Sequence, residues 1–584
     1  MFEKVLYILK LHLGIALISF ILWKLRFWSE CDKRICFWRH FYLFFTILLF
    51  ASSVTIALKS FDIIFIIFLI FLFISFDFFV AKRGKKIEIF KITLNQKIYD
   101  LLDGNITLKV KLFKTKPNIT NIIAIFIIYV LGLFMWVKPA LENASFFNLH
   151  QYNLLVKTTS ILTNSSNLTI ANLGICSLSA FFASIFNVNQ HQVIHLFGAF
   201  NFMLLFSGVS ILTFRLTNDL KSVILSGSII AFVFPHLNLV SNPVEGSSFL
   251  LGISWALFTL YFWKDENLNF TFKLAGILSV FLIDIFIGFI LSILILTGET
   301  FETWKKEKSS RLIFTAPLIF LSLLVFEFYI FRHDPKLMTL AYALLYNQEI
   351  SSVVSRDIGI FLILISLLGS VIGIFSGLMF YSVLTFTLVI LISLCELSIL
   401  SFIPYEQFYP LVFVLSTLWL SFLISKILNH RKFLRDVITL LTALLVTLNG
   451  LLAGSVKLDT PIEPDEFVVL VDKISKDNLP FSFAIVSHRG TKAMVENLSW
   501  FMDWEYFAKN YIFIDDVKKI YDVVYILVPE KEAIDKINKA FLPPIENLPE
   551  VLDSICVNYK YARAQVYFKG RYVKAYKLTK LRND

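Results

Sequence analysis

Apolar runs long enough to cross a lipid bilayer recur along most of the chain, and this one feature excludes most folds. A spanning helix needs about 17–25 predominantly apolar residues, because inside lipid every backbone N–H and C=O must be satisfied within the segment. Runs of that kind cover 5–23, 41–58, 61–80, 120–138, 193–213, 222–240, 247–263, 312–331, 359–379, 381–400, 410–427 and 437–455. Hydrophobic residues make up 57% of the 584, and 63 of them are Phe. A soluble core does not call for that share, so the chain reads as an integral membrane protein.

Charge orients it. Residues 81–118 carry Lys82, Arg83, Lys85, Lys86, Lys91, Lys97, Lys109, Lys111, Lys114 and Lys116, whereas 139–192 carries only Lys157. Short loops rich in Lys and Arg stay on the cytoplasmic side. The rule places 24–40, 81–118, 214–221, 264–273, 299–311 and 428–436 inside. It leaves the N-terminus, 139–192, 236–246, 332–358, 401–409 and everything after about Lys457 outside. The net charge of +11 then needs no nucleic acid, and anionic lipid headgroups are compatible with it. The first apolar stretch lacks a small-residue cleavage site and is followed by Lys24, Arg26, Lys33, Arg34 and Arg39, so it reads as an uncleaved anchor in the cytoplasmic membrane.

One run breaks the pattern. A single crossing by Leu274–Thr297 would put Lys305, Lys306, Lys308 and Arg311 outside, against the charge rule. Asp284 and Gly288 near its middle suit a reversal, since a charge at membrane depth faces protein or water. The expectation is a helical hairpin of two short half-helices or a pair of steeply packed ones.

After Lys457 the composition changes. Asp459, Pro461, Glu463, Pro464, Asp465 and Glu466 form a polar linker. Beyond it, β-rich runs at Phe467–Val471, Phe481–Val486, Val523–Val528, Ala564–Phe568 and Tyr572–Leu578 alternate with amphipathic stretches near 492–508 and 530–541. The fold class expected is therefore an all-α polytopic membrane protein of about 12–14 segments with a C-terminal extracytoplasmic mixed α/β domain. The divisions expected are a three-helix membrane module with a basic loop at 1–119, a transmembrane domain at 120–456, and the α/β domain at 457–584. Cys31, Cys36, Cys176, Cys395 and Cys556 form no CxxC pair and no His/Cys spacing that would hold zinc.

Chemistry is sought in the outer loops. The loop after 120–138 begins Lys138-Pro139-Ala140-Leu141-Glu142 and reaches His150. A carboxylate just beyond the membrane, followed at helical spacing by a His, can deprotonate an acceptor hydroxyl or hold a cation. The plainer alternative is that Glu142 caps a loop helix and His150 is an interfacial hydrogen-bonding residue. A second loop contains Arg332, His333, Asp334 and Lys336 and continues through Tyr342, Tyr346 and Glu349 to Arg356 and Asp357. Its cations suit a phosphate, bidentately if Arg, and its tyrosines a sugar; as interfacial anchors the same residues need no ligand. His236, Asn238, Asn242 and Glu245 on a short loop either line the same cleft or are simply wet loop. Sequons at Asn143, Asn164 and Asn167 fall outside on this topology; they are acceptors only in an organism that glycosylates Asn-x-Ser/Thr, and chance occurrence in a chain this rich in Asn is the plainer reading.

This order resembles the membrane glycosyltransferases of the GT-C type from bacteria and archaea. The shared features are an outer loop opening with a carboxylate, a His on the following helix, a segment like Leu168–Phe186 leading into Gln192–Phe200, a second outer loop, and a C-terminal α/β domain. The likeness covers roughly 120–584. It implies transfer of a sugar from a polyprenyl-phosphate-linked donor at the extracytoplasmic face. In that role Glu142 and His150 are the catalytic candidates, and His236, Glu245, Arg332, His333, Asp334, Lys336 and Arg356 the substrate-binding ones. Partners would be the lipid-linked donor, membrane lipids and a protein bound by 457–584. One departure matters: such enzymes usually carry Asp in the first loop, and here Glu142 is the sole carboxylate between Lys138 and Gln192. No acidic pair supports a divalent metal, so the cofactor stays open, and a noncatalytic scaffold that presents its outer domain is the alternative.

The charge rule yields a direct test. In intact cells a cysteine at Lys306→Cys should resist a membrane-impermeant maleimide, and labelling there from outside would overturn the hairpin.

Overall fold

The computed structural model describes residues 2–25, 36–70, 119–163, 173–237, 240, 243–265, 268, 270–307, 356–396, 405–427, 431–454, 456, 460–495, 498–510, 521, 523–558 and 564–579. The expected span at 312–331, the second half of that at 61–80 and the basic loop 81–118 lie outside them. The helices are α1 (Phe2–Leu25), α2 (Cys36–Ala57), α3 (Ile119–Glu142), α4 (Leu149–Leu162), α5 (Leu173–Phe186), α6 (Gln190–His195), α7 (Phe197–Thr217), α8 (Leu220–Phe232), α9 (Ser248–Trp263), α10 (Phe270–Ile283), α11 (Ile285–Glu307), α12 (Arg356–Phe375), α13 (Met379–Glu396), α14 (Tyr409–Ile427) and α15 (Lys432–Ala453). Among the described residues 8 helical stretches are long and apolar enough to cross a membrane, and shorter apolar helices accompany them. The protein is a multi-pass membrane protein with an all-helical body.

Apolar character all round a helix means neighbours all round it. In α9 every residue from Ser248 to Phe262 is buried, which puts this 16-residue helix at the centre. By contrast α3 and α15 turn Phe126, Val130, Phe134, Leu441, Leu444 and Leu448 outward, as lipid-facing helices do. The first two helices are packed into this body. Tyr42 of α2 stacks on Trp255 and Phe262 of α9, with ring centroids 5.4 and 4.8 Å away.

The hairpin is present, with unequal arms. Asp284 separates α10 from α11, and its Oδ1 accepts the N–H of Ile287, capping the second helix. A Cβ on Gly288 would lie 2.8 Å from the Phe281 Cα, so the two arms press together where only glycine fits. Lys264, at the end of α9, meets Glu299 at 2.6 Å and Glu302 at 2.7 Å in α11. The chain has therefore gone out along α10 and come back. The expectation of two short half-helices needs correcting: α10 has 14 residues, but α11 has 23 and is long enough to span.

Polar contacts collect at the two ends of the body. At one end Arg215 donates to the carbonyls of Tyr261 and Lys264, Lys264 pairs with α11, and Lys221 pairs with Asp436 of α15. Arg215, Lys221, Lys264, Glu299, Glu302 and the start of α15 thus share one level. At the other end the N-terminus of α1, the loop after α3, α4 and Asn189 meet the C-terminal domain.

That domain holds α16 (Asp465–Asp477), β1 (Phe483–Ser487), α17 (Arg489–Val495), β2 (Trp500–Asp503), α18 (Trp504–Asn510), β3 (Val523–Pro529), α19 (Lys531–Ile534), α20 (Leu548–Asn558), β4 (Ala564–Lys569) and β5 (Val573–Thr579). The five-stranded sheet runs β2-β1-β3-β5-β4. β1 lies parallel to β2 and β3, and β5 antiparallel to β3 and β4. Mixed α/β is what the composition implies, with one reassignment. Phe467–Val471 is helical, because Phe467, Val468, Leu470, Val471 and Ile474 fall on one buried face at 3.6-residue period while Val469 stays exposed. Burying that face against the sheet outweighs the β-branched preference.

Asp553 of α20 ties its helix to β5, accepting from Lys574 Nζ at 2.7 Å and Tyr576 OH at 2.5 Å. Burial acts to raise the Asp553 pKa, but the two donors outweigh it and hold the carboxyl below its usual 3.8. Burial likewise acts to lower Lys574, and the bond to Asp553 outweighs it and raises the amine above 10.5. A depressed carboxylate stabilises above its unfolded pKa and loses that contribution as pH falls through the folded value; a raised lysine stabilises below 10.5 and loses it as pH rises through its own. Asp553→Ala should therefore lower the melting temperature most between about pH 5 and 9. In thermal melts at several pH values the deficit should shrink below about pH 4; a deficit independent of pH would assign it to packing alone.

Candidate functional site

α3 ends in Pro139-Ala140-Leu141-Glu142, and like every helix it leaves its last carbonyls without intrahelical donors. Two side chains answer them. Lys4 of α1 donates to Ala140 O at 2.6 Å and also to Asn143 O. His195, the last residue of α6, sets Nε2 at 3.1 Å from Ala140 O and 2.9 Å from Asn143 O. Its Nδ1 lies 2.7 Å from Glu245 Oε1. Each ring nitrogen faces an acceptor. The Lys4 ammonium also complements the negative end of the α3 dipole.

Glu245 completes the clamp. Its carboxylate accepts the N–H of Phe147 at 3.2 and 3.3 Å, so one fully buried acid grips the loop and the histidine together. Segment 244–247 is itself pinned: Gln151 donates to Gly246 O at 2.9 Å and Asn201 to Ser247 O at 3.1 Å. α7 approaches this segment so closely that a Cβ on Gly198 would sit 1.9 Å from Val244 O. Only glycine permits that contact.

The same loop binds the C-terminal domain. Asp465 Oδ1 accepts from Ala144 N and Ser145 N at 2.8 Å each, and Ile462 N donates to Phe146 O at 2.9 Å. Tyr152 of α4 donates to Glu463, whose other oxygen lies 2.5 Å from His488 Nε2. Burial, then the Glu463 carboxylate, pushes the Tyr152 hydroxyl well above its usual value of 10.0, so it remains the donor. Phe541 covers the network, stacked on His488 at 5.4 Å and edge-on to Tyr152 at 5.1 Å.

Beside this junction opens a cleft of about 500 Å3 between the loop and the domain. Asn148, Leu149 and Pro461 form part of one wall, and Lys536, Asn538 and Lys539 part of the other. Both asparagines use Oδ1 to cap a turn, accepting from His150 N and Ala540 N at 2.9 Å. Lys539, the amide N–H2 groups and Lys536, which also donates to Tyr572 OH, bring donors to the opening beside the carboxylate of Asp535, a mixed lining suited to sugar hydroxyls and to phosphate oxygens at the lysine side.

The sequence candidates fall in different places. Glu142 is exposed and pairs weakly with Lys138 at 3.8 Å. His150 is half-buried in the first turn of α4, and neither of the two lines the cleft. His236 is half-buried in the turn Phe234–Leu237. Glu245 is enclosed, so the structure gives this expected substrate ligand an internal partner instead. Arg356 opens α12, but its side chain and all of Arg332, His333, Asp334 and Lys336 lie outside the described residues. Among the described residues no three of His, Cys, Asp and Glu converge as metal ligands. Sequence reasoning missed Lys4, His195, Glu463, Asp465 and His488. The one available signal was His191 and His195 at i, i+4 before an apolar run.

The clamp is testable through its scaffold. Gly198→Ala has to displace Val244 and should destabilise by about 1–3 kcal/mol, and Glu245→Ala, which leaves the buried His195 ring and Phe147 N without their acceptor, by about 3–5 kcal/mol. Thermal melts in detergent check both; a wild-type melting temperature for Glu245→Ala would remove the clamp.

No protein-family model matches the chain, and no curated protein matches it. Among solved structures it is similar to the Archaeoglobus fulgidus oligosaccharyltransferase in complex with zinc and sulfate, at 12% identity and a TM-score of 0.38, over 69% of this chain and 67% of that one. It is also similar to the same enzyme tethered through a disulfide bond to an acceptor peptide containing the NVT sequon, at 12% identity and a TM-score of 0.36, over 70% and 69%.

Proposed function

We propose that the protein is an integral-membrane glycosyltransferase of the cytoplasmic membrane, taking a sugar from a polyprenyl-phosphate-linked donor at the extracytoplasmic face. The observation that carries this reading is the polar cleft beside the loop that joins Glu142 to His150. A lipid-linked donor needs an apolar surface for its chain and cations at headgroup depth for its phosphate, and the Phe-rich body with the cleft lysines suits both. The face follows from the Lys/Arg distribution, which puts this end of the body and the 457–584 domain outside. The divisions 1–119, 120–456 and 457–584 are retained as functional regions, with α1 contributing Lys4 to the second.

In this mechanism Glu142, exposed and loosely paired, removes the proton from an acceptor hydroxyl or amide, with His150 as the alternative base. The acceptor atom forms its bond to the sugar C1 as the bond from C1 to the phosphate oxygen breaks, inverting the carbon. The departing polyprenyl phosphate takes the electron pair, and Arg332, Lys336 or Arg356 neutralises it, with His333, Asp334 and His236 as further contacts. Glu245 acts by positioning the loop.

A noncatalytic scaffold is favoured by one observation, that Glu142 and His150 stand outside the cleft lining. Transfer from radiolabelled lipid-linked sugars distinguishes the two. Glu142→Gln or His150→Ala should reduce the rate about 10²–10⁴-fold at unchanged melting temperature; full activity in both would remove the proposed bases and leave the scaffold.

A further inference from the structure

We propose that the turn Leu479-Pro480-Phe481 is a membrane anchor, with its apolar side chains seated in the interfacial zone of the bilayer beside α1. α16 lies across the end of the helical body on one stripe. Asp465 holds Ala144 and Ser145, Asp472 meets Asn189 at 3.5 Å, and Lys476 reaches Glu3 at 3.9 Å. Those positions are spaced 7 and 4 apart, so they share one face of the helix, and Val469, 58% exposed, lies on it too.

The last of these contacts fixes the depth. Glu3 heads α1, and Val5, Leu9, Leu13 and Leu17 run outward-facing down one side of that helix at four-residue intervals. That row faces lipid, with the exposed Lys10 on the same side reaching back to the headgroups, so hydrocarbon begins within about two helical turns of Glu3. The turn follows Lys476 by three to five residues, a reach of at most about 18 Å.

Its conformation holds apolar groups outward. Asn478 leaves the helix in extended form, and Leu479 O accepts from both the N–H and the hydroxyl of Ser482 at 3.1 and 2.7 Å. Phe481 sits at φ +62°, a region that bulky residues seldom occupy, with its N–H fixed on Leu498 O at 2.7 Å. Even so, Leu479 is 77% and Phe481 64% exposed. A folded domain gains nothing by displaying two large apolar side chains to water from a pinned turn, whereas a bilayer edge gives them a partner. This assignment does not rest on the glycosyltransferase reading.

Leu479→Cys in the full-length protein, carrying an environment-sensitive dye and reconstituted into phosphatidylcholine nanodiscs, tests it. Labelled parent without the new cysteine gives the background, and Lys531→Cys, on an exposed surface of the domain, serves as reference. Shallow nitroxide lipids should quench the dye at 479 several-fold more than at 531, with iodide showing the reverse order. Free access of iodide to 479 without lipid quenching would overturn the proposal, and so would protection from both, which would put a protein there.

Discussion

The shape of one end of this molecule depends on a buried histidine–carboxylate pair. His195 and Glu245 are both removed from solvent, and an acid or base placed there without partners costs several kcal/mol. Here every polar atom is engaged: Glu245 by the imidazole ring and Phe147 N, His195 by the carboxylate and two helix-end carbonyls. Such a pair adds little net stability over an apolar filling of the same volume. What it does is specify a geometry, because the loop after α3 satisfies these groups in one arrangement only. Lys4 shares the same two carbonyls, which makes the first helix part of the clamp.

Because the clamped loop also carries the contacts to the C-terminal domain, domain and body are set by one element. Ala144 and Ser145 bind Asp465, Phe146 binds Ile462, and Tyr152 reaches Glu463. Ile462 O in turn accepts from Asn538 N at 2.8 Å, so the strip from 146 through 462 to 538 is laced across backbone atoms. Both walls of the cleft hang on that strip. Its width therefore follows the loop, and a ligand inside would feel any movement of α1, α3 or α6.

Much of the fold was legible in the sequence because its governing forces are additive along the chain. Apolar length shows the helices, and charge at run ends shows that Leu274–Thr297 folds back, as Lys264 against Glu299 bears out. Local β propensity misread Phe467–Val471, since the face that decides is set by the sheet it covers. The site was harder. Glu142 and His150 stand out because their neighbours in sequence are uncharged, but Lys4, His195, Glu245 and Asp465 come together from 4 to 465 only by folding. No spacing rule connects residues so far apart.

That convergence also changes the meaning of the acid-poor first loop. In space three carboxylates border it, yet each is engaged with protein donors: Glu245 with His195 and Phe147 N, Glu463 with Tyr152 and His488, and Asp465 with Ala144 N and Ser145 N. Held this way, each acid fixes backbone or side-chain donors of the loop in one arrangement, and Glu245 and Glu463 do so out of contact with solvent. Glu142 differs, with its side chain 52% exposed and a single lysine 3.8 Å away. Folding has used Glu245, Glu463 and Asp465 to build the loop and its junction with the domain. Among these described carboxylates and Glu142, it leaves Glu142 the most exposed.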